Sequence, residues 1–388
     1  MNFGILLTVF RREVTDLLRD RRTLFSMVVL PTIVFPVLFA VIGRFTSDAG
    51  KKAEAEARTI AVPSTGLPDA FAAALEASGL KLIPLPDVKQ AVADKVTSAG
   101  FRLKENGRDA IIVVDRTRQA SSIAAQKVRT ALTAYQQSLV VQSLRAASLG
   151  PEVLKPFAID SENVADERKM GGFVLGSILG YVVILLMFSG GMYPAVDMTA
   201  GEKERKTLEA LLSTPARRTE IVLGKILACV TATYLTALLT TGSLFWSITS
   251  KNLPLDGMDK YLGNLSLDGQ TIALILLTLL PVALMAGSLM VAIATAARSF
   301  KEAQSYLTPL IMLVIFPSLL GGLPGMELSP ALSLIPVFNA SQILKSILQG
   351  DLNPTLLAIT NGANLVYAAI CFVLAVRTFN NESVLFRS

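Results

Sequence analysis

The stretch GEKERKTLEALLSTPARRTEIVLGK, residues 201–225, separates two long apolar runs. Gly171–Val196 before it and Ile226–Ser250 after it contain no charged residue. Each run exceeds the roughly 20 residues that a helix needs to cross the apolar core of a bilayer. The pattern predicts a short, strongly charged helix at the membrane surface between two spanning helices.

Local chemistry favours a discrete helix over residues 201–213. Thr199, followed three residues later by Glu202, matches a capping box, in which each side chain satisfies a free backbone donor of the first turn. Pro215 is expected to end the helix and to begin the next one, because its ring disfavours helical geometry at the preceding residue. Opposite charges four residues apart should pair on its surface, in Glu202–Lys206 and Arg205–Glu209. A solvated interfacial helix with no partner is the alternative.

The same residues resemble the cytoplasmic coupling segment of type-2 ABC exporter permeases. The resemblance implies that this segment contacts a separate ABC ATPase subunit, through Gly201, Glu202, Glu204, Arg205, Thr207, Leu208 and Glu209. Within that family the chain is most similar to the sodium-efflux (NatB-type) permeases, because a long soluble insert follows the first span. The resemblance therefore implies sodium export, with ATP and magnesium bound by the partner ATPase.

Composition limits the chemistry of the chain itself. Of 388 residues, 52% are hydrophobic and 17% charged, against about 25% charged in an average soluble domain. Histidine is absent, which excludes imidazole catalysis and most zinc sites. The two cysteines, Cys229 and Cys371, lie in apolar runs and are expected to act as small hydrophobic residues. We expect no catalytic, metal-binding or cofactor-binding residue, and no phosphate-binding loop for ATP occurs.

The hydropathy pattern predicts an α-helical polytopic membrane protein with six transmembrane helices. An amphipathic interfacial helix over 1–22 precedes the first span, 23–43. Residues 44–170 form an extracytoplasmic α/β domain, and 171–388 hold spans two to six. Residues 328–344 are short and contain two prolines, which favours a re-entrant segment on the outer side. No charged side chain is expected inside any span, which argues against ion-coupled carriers.

The insert should alternate strands and helices, which is typical of an α/β domain. Its strands and helices are expected at Thr59–Pro63, Leu80–Leu85 and Ala110–Asp115, and at Pro68–Ser78, Asp87–Glu105 and Ser121–Leu149. The clearest strand is the third, which reads AIIVVD.

Lys and Arg cluster near the N-terminus, in the charged stretch, around Arg298 and in the tail. Because basic residues concentrate on the cytoplasmic side, both termini are expected to be cytoplasmic. The expected location is the cell membrane, as a multi-pass protein of the bacterial inner membrane. The net charge of +6 thus reflects topology and does not indicate nucleic-acid binding.

The polar residues inside the predicted spans are neutral, and they do not by themselves identify the transport path. Asn361 and Asn364 share a face of the last span and could line a translocation path, although interhelical hydrogen bonding is the commoner role of such residues. Gly172, Gly176 and Gly180 form a stripe of small residues that suits a bundle or dimer contact. Six spans make half a pathway, so a second permease subunit, identical or related, is expected.

Two other functions stay open from the sequence alone. The chain could belong to an exporter of drugs, lipids or other small molecules. It could also be a membrane-anchored sensor or assembly scaffold whose outer domain binds a ligand.

Overall fold

A computed structural model describes residues 2–64, 68–103, 110–115, 118–146, 167–249, 268–321 and 328–385. The chain divides into two compact units. The first unit comprises Met1–Ile42 and Val164–Ser388, and the second comprises Gly43–Asn163.

The first unit is built from helices around one apolar core. Within the described residues its elements are α1 (Phe3–Arg19), α2 (Arg21–Leu24), a π-helical turn (Phe25–Val29), α3 (Leu30–Glu56, which continues into the second unit), α7 (Glu167–Val196), a second π-helical turn (Asp197–Gly201), α8 (Glu202–Glu204), α9 (Thr207–Leu212), α10 (Arg218–Thr249), α11 (Gly269–Ala296), α12 (Phe300–Leu320), a 3-10 turn (Leu332–Leu334), α13 (Phe338–Gln349), α14 (Pro354–Asn380) and α15 (Glu382–Leu385).

Six of these helical stretches are long and apolar enough to cross a membrane, which confirms the predicted number within the described residues. They are Arg21–Val41, Leu175–Glu204, Arg218–Thr249, Gly269–Ala296, Phe300–Leu320 and Pro354–Asn380. The proline-containing segment 328–344 contributes only the 3-10 turn and the first half of α13, which is 12 residues long. A helix of that length is too short to span a bilayer.

The glycine stripe of α7 packs inside the bundle, against α13. A Cβ atom on Gly176 would lie 2.6 Å from the Cα of Lys345, and one on Gly180 would lie 2.9 Å from the carbonyl oxygen of Ser341. Gly172 is equally close to the backbone at the end of α13. The small residues thus let the backbones of α7 and α13 approach closely. Of the two predicted roles for this stripe, a contact within the bundle or a dimer contact, the structure contains the contact within the bundle.

The second unit contains a four-stranded sheet with helices, as expected for an α/β domain. Its elements in the described ranges are β1 (Thr59–Pro63), α4 (Asp69–Ala77), β2 (Lys81–Leu85), α5 (Val88–Ala93), β3 (Ala99–Leu103), β4 (Ala110–Val114) and α6 (Gln119–Ala146). The strand order is β2-β1-β3-β4. β1 pairs in parallel with β2 and β3, and β4 pairs antiparallel to β3.

The predicted helix over Asp87–Glu105 is wrong in its second half, where β3 lies. The helix ends early, and Lys95 follows it with a φ of 61°, a left-handed turn. Gly100 then lets β3 approach its neighbours, since a Cβ there would lie 3.3 Å from that of Val113. Pairing in the sheet buries Phe101 fully, and this tertiary gain outweighs the local helical preference.

The charged stretch is not the discrete capped helix that its sequence predicts. The long α7 runs through the second π-helical turn directly into α8. Thr199 is buried in that turn, where its hydroxyl donates to the Ala195 carbonyl and caps nothing. A left-handed residue, Lys206 (φ 59°), separates α8 from α9. The following helix begins at Arg218 and not at Pro215.

Candidate functional site

Four charged side chains meet where α1, α8 and α10 come together, and we call them the ion cluster: Arg12, Glu13, Glu202 and Lys225. The Nζ of Lys225 lies 2.8 Å from Oε1 of Glu13 and 2.8 Å from Oε2 of Glu202. The Nη2 of Arg12 lies 3.1 Å from Oε1 of Glu202. Lys225 is fully buried, and the two glutamates are each 4% exposed. The cluster therefore joins three separate elements, through two ion pairs of Lys225 that are almost closed to solvent and one pair of the exposed Arg12.

The sequence places Glu13 and Lys225 on buried faces of their helices. In α1, Glu13 shares its helical stripe with the buried Leu6, Val9 and Leu17, at spacings of three and four residues. In α10, Gly224 precedes Lys225 and faces α1, and a Cβ there would lie 2.7 Å from Cγ1 of Val9. The glycine lets α1 approach α10 closely enough for the buried ion pairs to form.

Because these charged groups are removed from water, the protonation of the cluster depends on how its charges are paired. Burial raises the pKa of Glu13, a shift that the Lys225 ammonium partly offsets and the Glu202 carboxylate reinforces. Two acidic and two basic groups balance in formal charge, so no ion is left uncompensated. Lys225 also lies within the third candidate span, Arg218–Thr249. This helix has 32 residues, more than the roughly 20 that cross a bilayer, and Lys225 lies near its start, so the expectation that no span contains a charged side chain stays a prediction.

The two residues after Glu202 contact other helix ends. The Nζ of Lys203 donates to the carbonyl of Thr295, to that of Ala297 (3.3 Å) and to that of Val384 (2.9 Å). These carbonyls lie at the C-terminal end of α11 and in α15, where a lysine can satisfy free acceptors. Glu204 accepts the backbone N–H of Phe300 at the start of α12 (2.8 Å). Residues 202–204 therefore tie five helices of the unit together.

The remaining residues proposed for ATPase contact differ in exposure. Gly201 is buried beneath the ion pair of Arg205 and Asp197, whose nitrogen and oxygen lie 2.8 Å apart. Leu208 is buried, whereas Thr207, Glu209 and Arg205 are exposed. The surface pairs expected four residues apart are wrong for Glu202 and Arg205, because both side chains pair with other residues.

Two cavities lie on the surface around this segment. The first, which we call the docking groove, has a volume of about 400 Å³ and lies between α1 and the chain after α9. Its lining is Asn2, Gly4, Ile5, Thr8, Val9, Arg12, Leu211, Thr214, Pro215 and Ala216. The second, about 370 Å³, is more polar and is lined by Asp20, Arg22, Tyr193, Asp197, Gly201, Glu204, Arg205 and Phe300.

The two asparagines of the last span lie in the interior of the bundle. Asn364 is fully buried, and its Oδ1 accepts from Nδ2 of Asn339 on α13 at 3.3 Å. Asn361, three residues before Asn364 on the same helix, is partly buried. The structure thus brings Asn364 together with Asn339, a residue that the sequence did not single out.

Among the described residues, no group of three or more His, Cys, Asp or Glu side chains could hold a metal ion. Cys229 is buried, and Cys371 is partly buried on a different helix.

Comparison with known proteins agrees with this architecture. The sequence profile of the ABC-2 family transporter proteins matches residues 21–377. The chain belongs to this family. The ABC transporter permease protein NatB of Bacillus subtilis (strain 168) is 28% identical over 387 residues, which cover 96% of this chain and 97% of that protein. No solved structure matches the chain.

Membership in the ABC-2 family identifies the chain as a membrane-embedded permease subunit of an ABC transporter. Such a subunit works with a separate ATPase, and the resemblance to NatB-type permeases is confirmed.

Proposed function

We propose that this permease forms the membrane path of an ATP-driven exporter and that its ATPase binds at the docking groove. The observation that carries the proposal is that the ion cluster joins α1 and the charged stretch, the two elements that line this groove. The groove is mostly apolar, and Phe3 beside it on α1 is 72% exposed. Apolar concave surfaces of this kind are typical binding sites.

The ion cluster supports a specific mode of coupling. Because Lys225 pairs with Glu13 of α1 and with Glu202 of α8, a force applied at the groove reaches α10 through ion pairs of 2.8 Å. Lys203 and Glu204 extend these contacts to α11, α12 and α15. In this proposal the ATPase moves α1 and α8 as one body with the spanning helices. Glu202 then transmits force from inside, while the exposed Glu204, Arg205, Thr207 and Glu209 are available for direct contact.

Replacing Leu211 with glutamate should prevent the ATPase from binding. Leu211 lines the docking groove, and a carboxylate there would have to be desolvated against an apolar partner surface. We expect the ATPase to be lost from the purified complex while the permease itself stays folded. The matched control is Leu139→Glu, on an exposed position of α6 in the other unit. Undiminished recovery of the ATPase with Leu211→Glu would place the docking surface elsewhere.

We propose that the transported substrate is sodium. We also propose that the permease works as a dimer, with a second copy of itself or with a related chain. The support is the similarity to NatB over 96% of the chain. This similarity is a stronger argument for sodium than the identity of any single residue in the spans. The neutral polar groups inside the last span are compatible with an ion path. The positive flanks support cytoplasmic termini and an outer α/β domain in the cell membrane.

The test of this function is ATP-dependent sodium movement. Permease and ATPase are reconstituted in proteoliposomes with the ATPase side outside, and uptake of ²²Na⁺ is followed with and without ATP. We expect uptake that requires ATP and both proteins. ATP hydrolysis with no sodium uptake would exclude sodium export and would leave drugs or lipids as substrates.

A further inference from the structure

Polar atoms without a partner concentrate on one side of the last span. Within the part of the chain that the structure describes, no hydrogen-bond partner reaches Oδ1 of Asn339, Oγ1 of Thr360, Oδ1 of Asn361 or Nδ2 of Asn364. We call these four residues the polar cluster. Asn339, Thr360 and Asn364 are all fully buried. Buried polar groups normally have partners, so a group of this size needs a physical explanation.

Thr360 differs from most buried threonines of the same bundle. Thr233, Thr278 and Thr295 each donate to the carbonyl four residues earlier, at 2.7–2.8 Å. This local bond is the usual way in which a helical hydroxyl is satisfied away from water. Thr360 makes no such bond, and its hydroxyl is left available to another group.

The backbone beside the polar cluster is interrupted. The 3-10 turn ends at Leu334, and α13 begins only at Phe338. Between them Val337 is buried with φ 72° and ψ −53°, a conformation that a β-branched residue rarely adopts. Such strain persists where the surrounding structure enforces it and often marks a functional site. In transporters, interrupted helices commonly form the sites of substrates and coupling ions.

Three members of the polar cluster lie close together. Thr360 and Asn364 are four residues apart and therefore lie on the same face of α14. Asn364 contacts Asn339 at 3.3 Å. The Nδ2 of Asn339 also donates to the Ser333 carbonyl at 2.8 Å, which fixes its orientation. The oxygen and nitrogen of an amide can be exchanged in a structure. If they were exchanged in both Asn339 and Asn364, one of the two amide oxygens would still have no hydrogen-bond donor.

The chemistry of the polar cluster selects its ligand. Its free acceptors are amide and hydroxyl oxygens, which suit hard cations better than soft ones. Sites for divalent cations of this class use carboxylates, and none of the four side chains is one. Lys345, buried six residues after Asn339 on α13, adds a positive charge about 9 Å further along the helix. That charge weakens binding of a cation without excluding it, and a transport path requires weak binding.

We propose that the polar cluster binds a hard monovalent cation during transport, with Asn339 and Thr360 as oxygen ligands and Asn364 as their positioning residue. The inference rests on the proposed sodium export and assigns residues to the ion site. It explains why four of the buried polar atoms without a partner lie at this one place in the described residues of the bundle.

The test compares sodium kinetics in Asn339→Leu with those of Thr278→Val in the proteoliposome assay. Leucine keeps the branching of asparagine at Cγ and removes both the amide oxygen and the amide nitrogen that bonds the Ser333 carbonyl. We expect the KM for sodium to rise by at least about tenfold, equivalent to about 1.4 kcal/mol of binding. Loss of the bond to the Ser333 carbonyl should lower the thermal midpoint, whereas ATPase recovery should be unchanged. The control removes a hydroxyl that is already bonded within its own helix, and its KM should not change.

The outcomes separate this inference from the proposed function. If the wild-type protein moves sodium and Asn339→Leu has the same KM, the polar cluster is not the ion site, although sodium export stands. If the wild-type protein moves no sodium, equilibrium dialysis of ²²Na⁺ with the purified permease tests the site alone. Saturable ²²Na⁺ binding that is lost in Asn339→Leu and that choline does not displace supports the site, whereas the same binding in Asn339→Leu overturns the assignment. No saturable binding to the wild-type permease overturns it.

Discussion

Replacing Lys225 with methionine is expected to lower the free energy of unfolding by about 3–5 kcal/mol, because one partner of a buried ion pair is removed. Methionine fills similar space but leaves Glu13 and Glu202, both 4% exposed, with no ammonium between them. The buried Glu13 carboxylate would then lose its ion-pair partner, and Glu202 would keep only Arg12. The measurement is the thermal or denaturant midpoint of the purified permease in detergent.

Two variants make this result specific. Arg218→Met breaks an exposed pair with Glu382, also 2.8 Å long, and should cost less than about 1 kcal/mol. Adding Glu13→Gln and Glu202→Gln to Lys225→Met removes the unpaired charges and should recover most of the lost stability. If Lys225→Met is as mild as Arg218→Met, the ion cluster does not hold α1, α8 and α10 together.

Replacing Gly176 with leucine should separate α7 from α13. The new Cβ would lie 2.6 Å from the Cα of Lys345, a backbone atom that cannot move without the whole helix. Forcing a larger side chain into a packed interior typically lowers the free energy of unfolding by about 1–3 kcal/mol. Because this side chain would meet backbone atoms, we expect a loss at the upper end of that range or above it. We expect a lower thermal midpoint and a lower yield of folded protein, measured by size-exclusion chromatography in detergent.

Gly242 provides the control for the glycine substitution. It lies in the interior of α10, and a Cβ there would meet no atom within 4 Å. Alanine should therefore be tolerated and could add about 0.5–1 kcal/mol, since glycine weakens helix interiors. A Gly176→Leu protein as stable as the Gly242→Ala protein would show that the close contact between α7 and α13 is not required.

The ion cluster also changes what is expected of charge reversal in the charged stretch. From the sequence, reversing Glu202 and Glu204 should uncouple ATP hydrolysis from transport and leave membrane insertion intact. In the structure Glu202 is buried against Lys225, so Glu202→Lys would place two ammonium groups in contact. We now expect this change to impair folding itself. Glu204 also accepts the backbone N–H of Phe300, so the exposed Glu209 is the better position for a test of coupling alone.

The long-range architecture could be predicted because hydropathy reports it directly. An apolar run of 26 residues such as Gly171–Val196 leaves few alternatives to a spanning helix. The β-branched strand at Ala110–Val114 was equally clear. In contrast, the sequence predicts helix for β3, because the strand character of this segment comes from its pairing with β1 and β4 and not from its own residues.

The chemistry of the candidate site was harder to predict, because its partners lie far apart in the chain. Local rules paired Glu202 with Lys206, four residues away, whereas its actual partner Lys225 is 23 residues away. A signal did exist: Glu13 and Lys225 each interrupt a buried apolar stripe, and two such opposite charges in one chain are best satisfied by each other. The carboxylate and the ammonium could have been matched on that ground.

The same limit applies to the polar cluster. Asn361 and Asn364 were identified from their shared face, but Asn339 was not, because the backbone interruption at Val337 brings it to the last span. Pro336 predicts an interruption at this point, but it does not predict which residue the interruption brings against the last span.

The measurement that tests the central claim most directly is affinity purification of the tagged permease from mild detergent. If the chain is the membrane subunit of an ATP-driven exporter, an ABC ATPase should be recovered in stoichiometric amount, and Leu211→Glu should remove it. Recovery of the folded permease with no ATPase, under conditions in which both proteins are expressed, would contradict the account and favour a sensor or scaffold that works through its α/β domain.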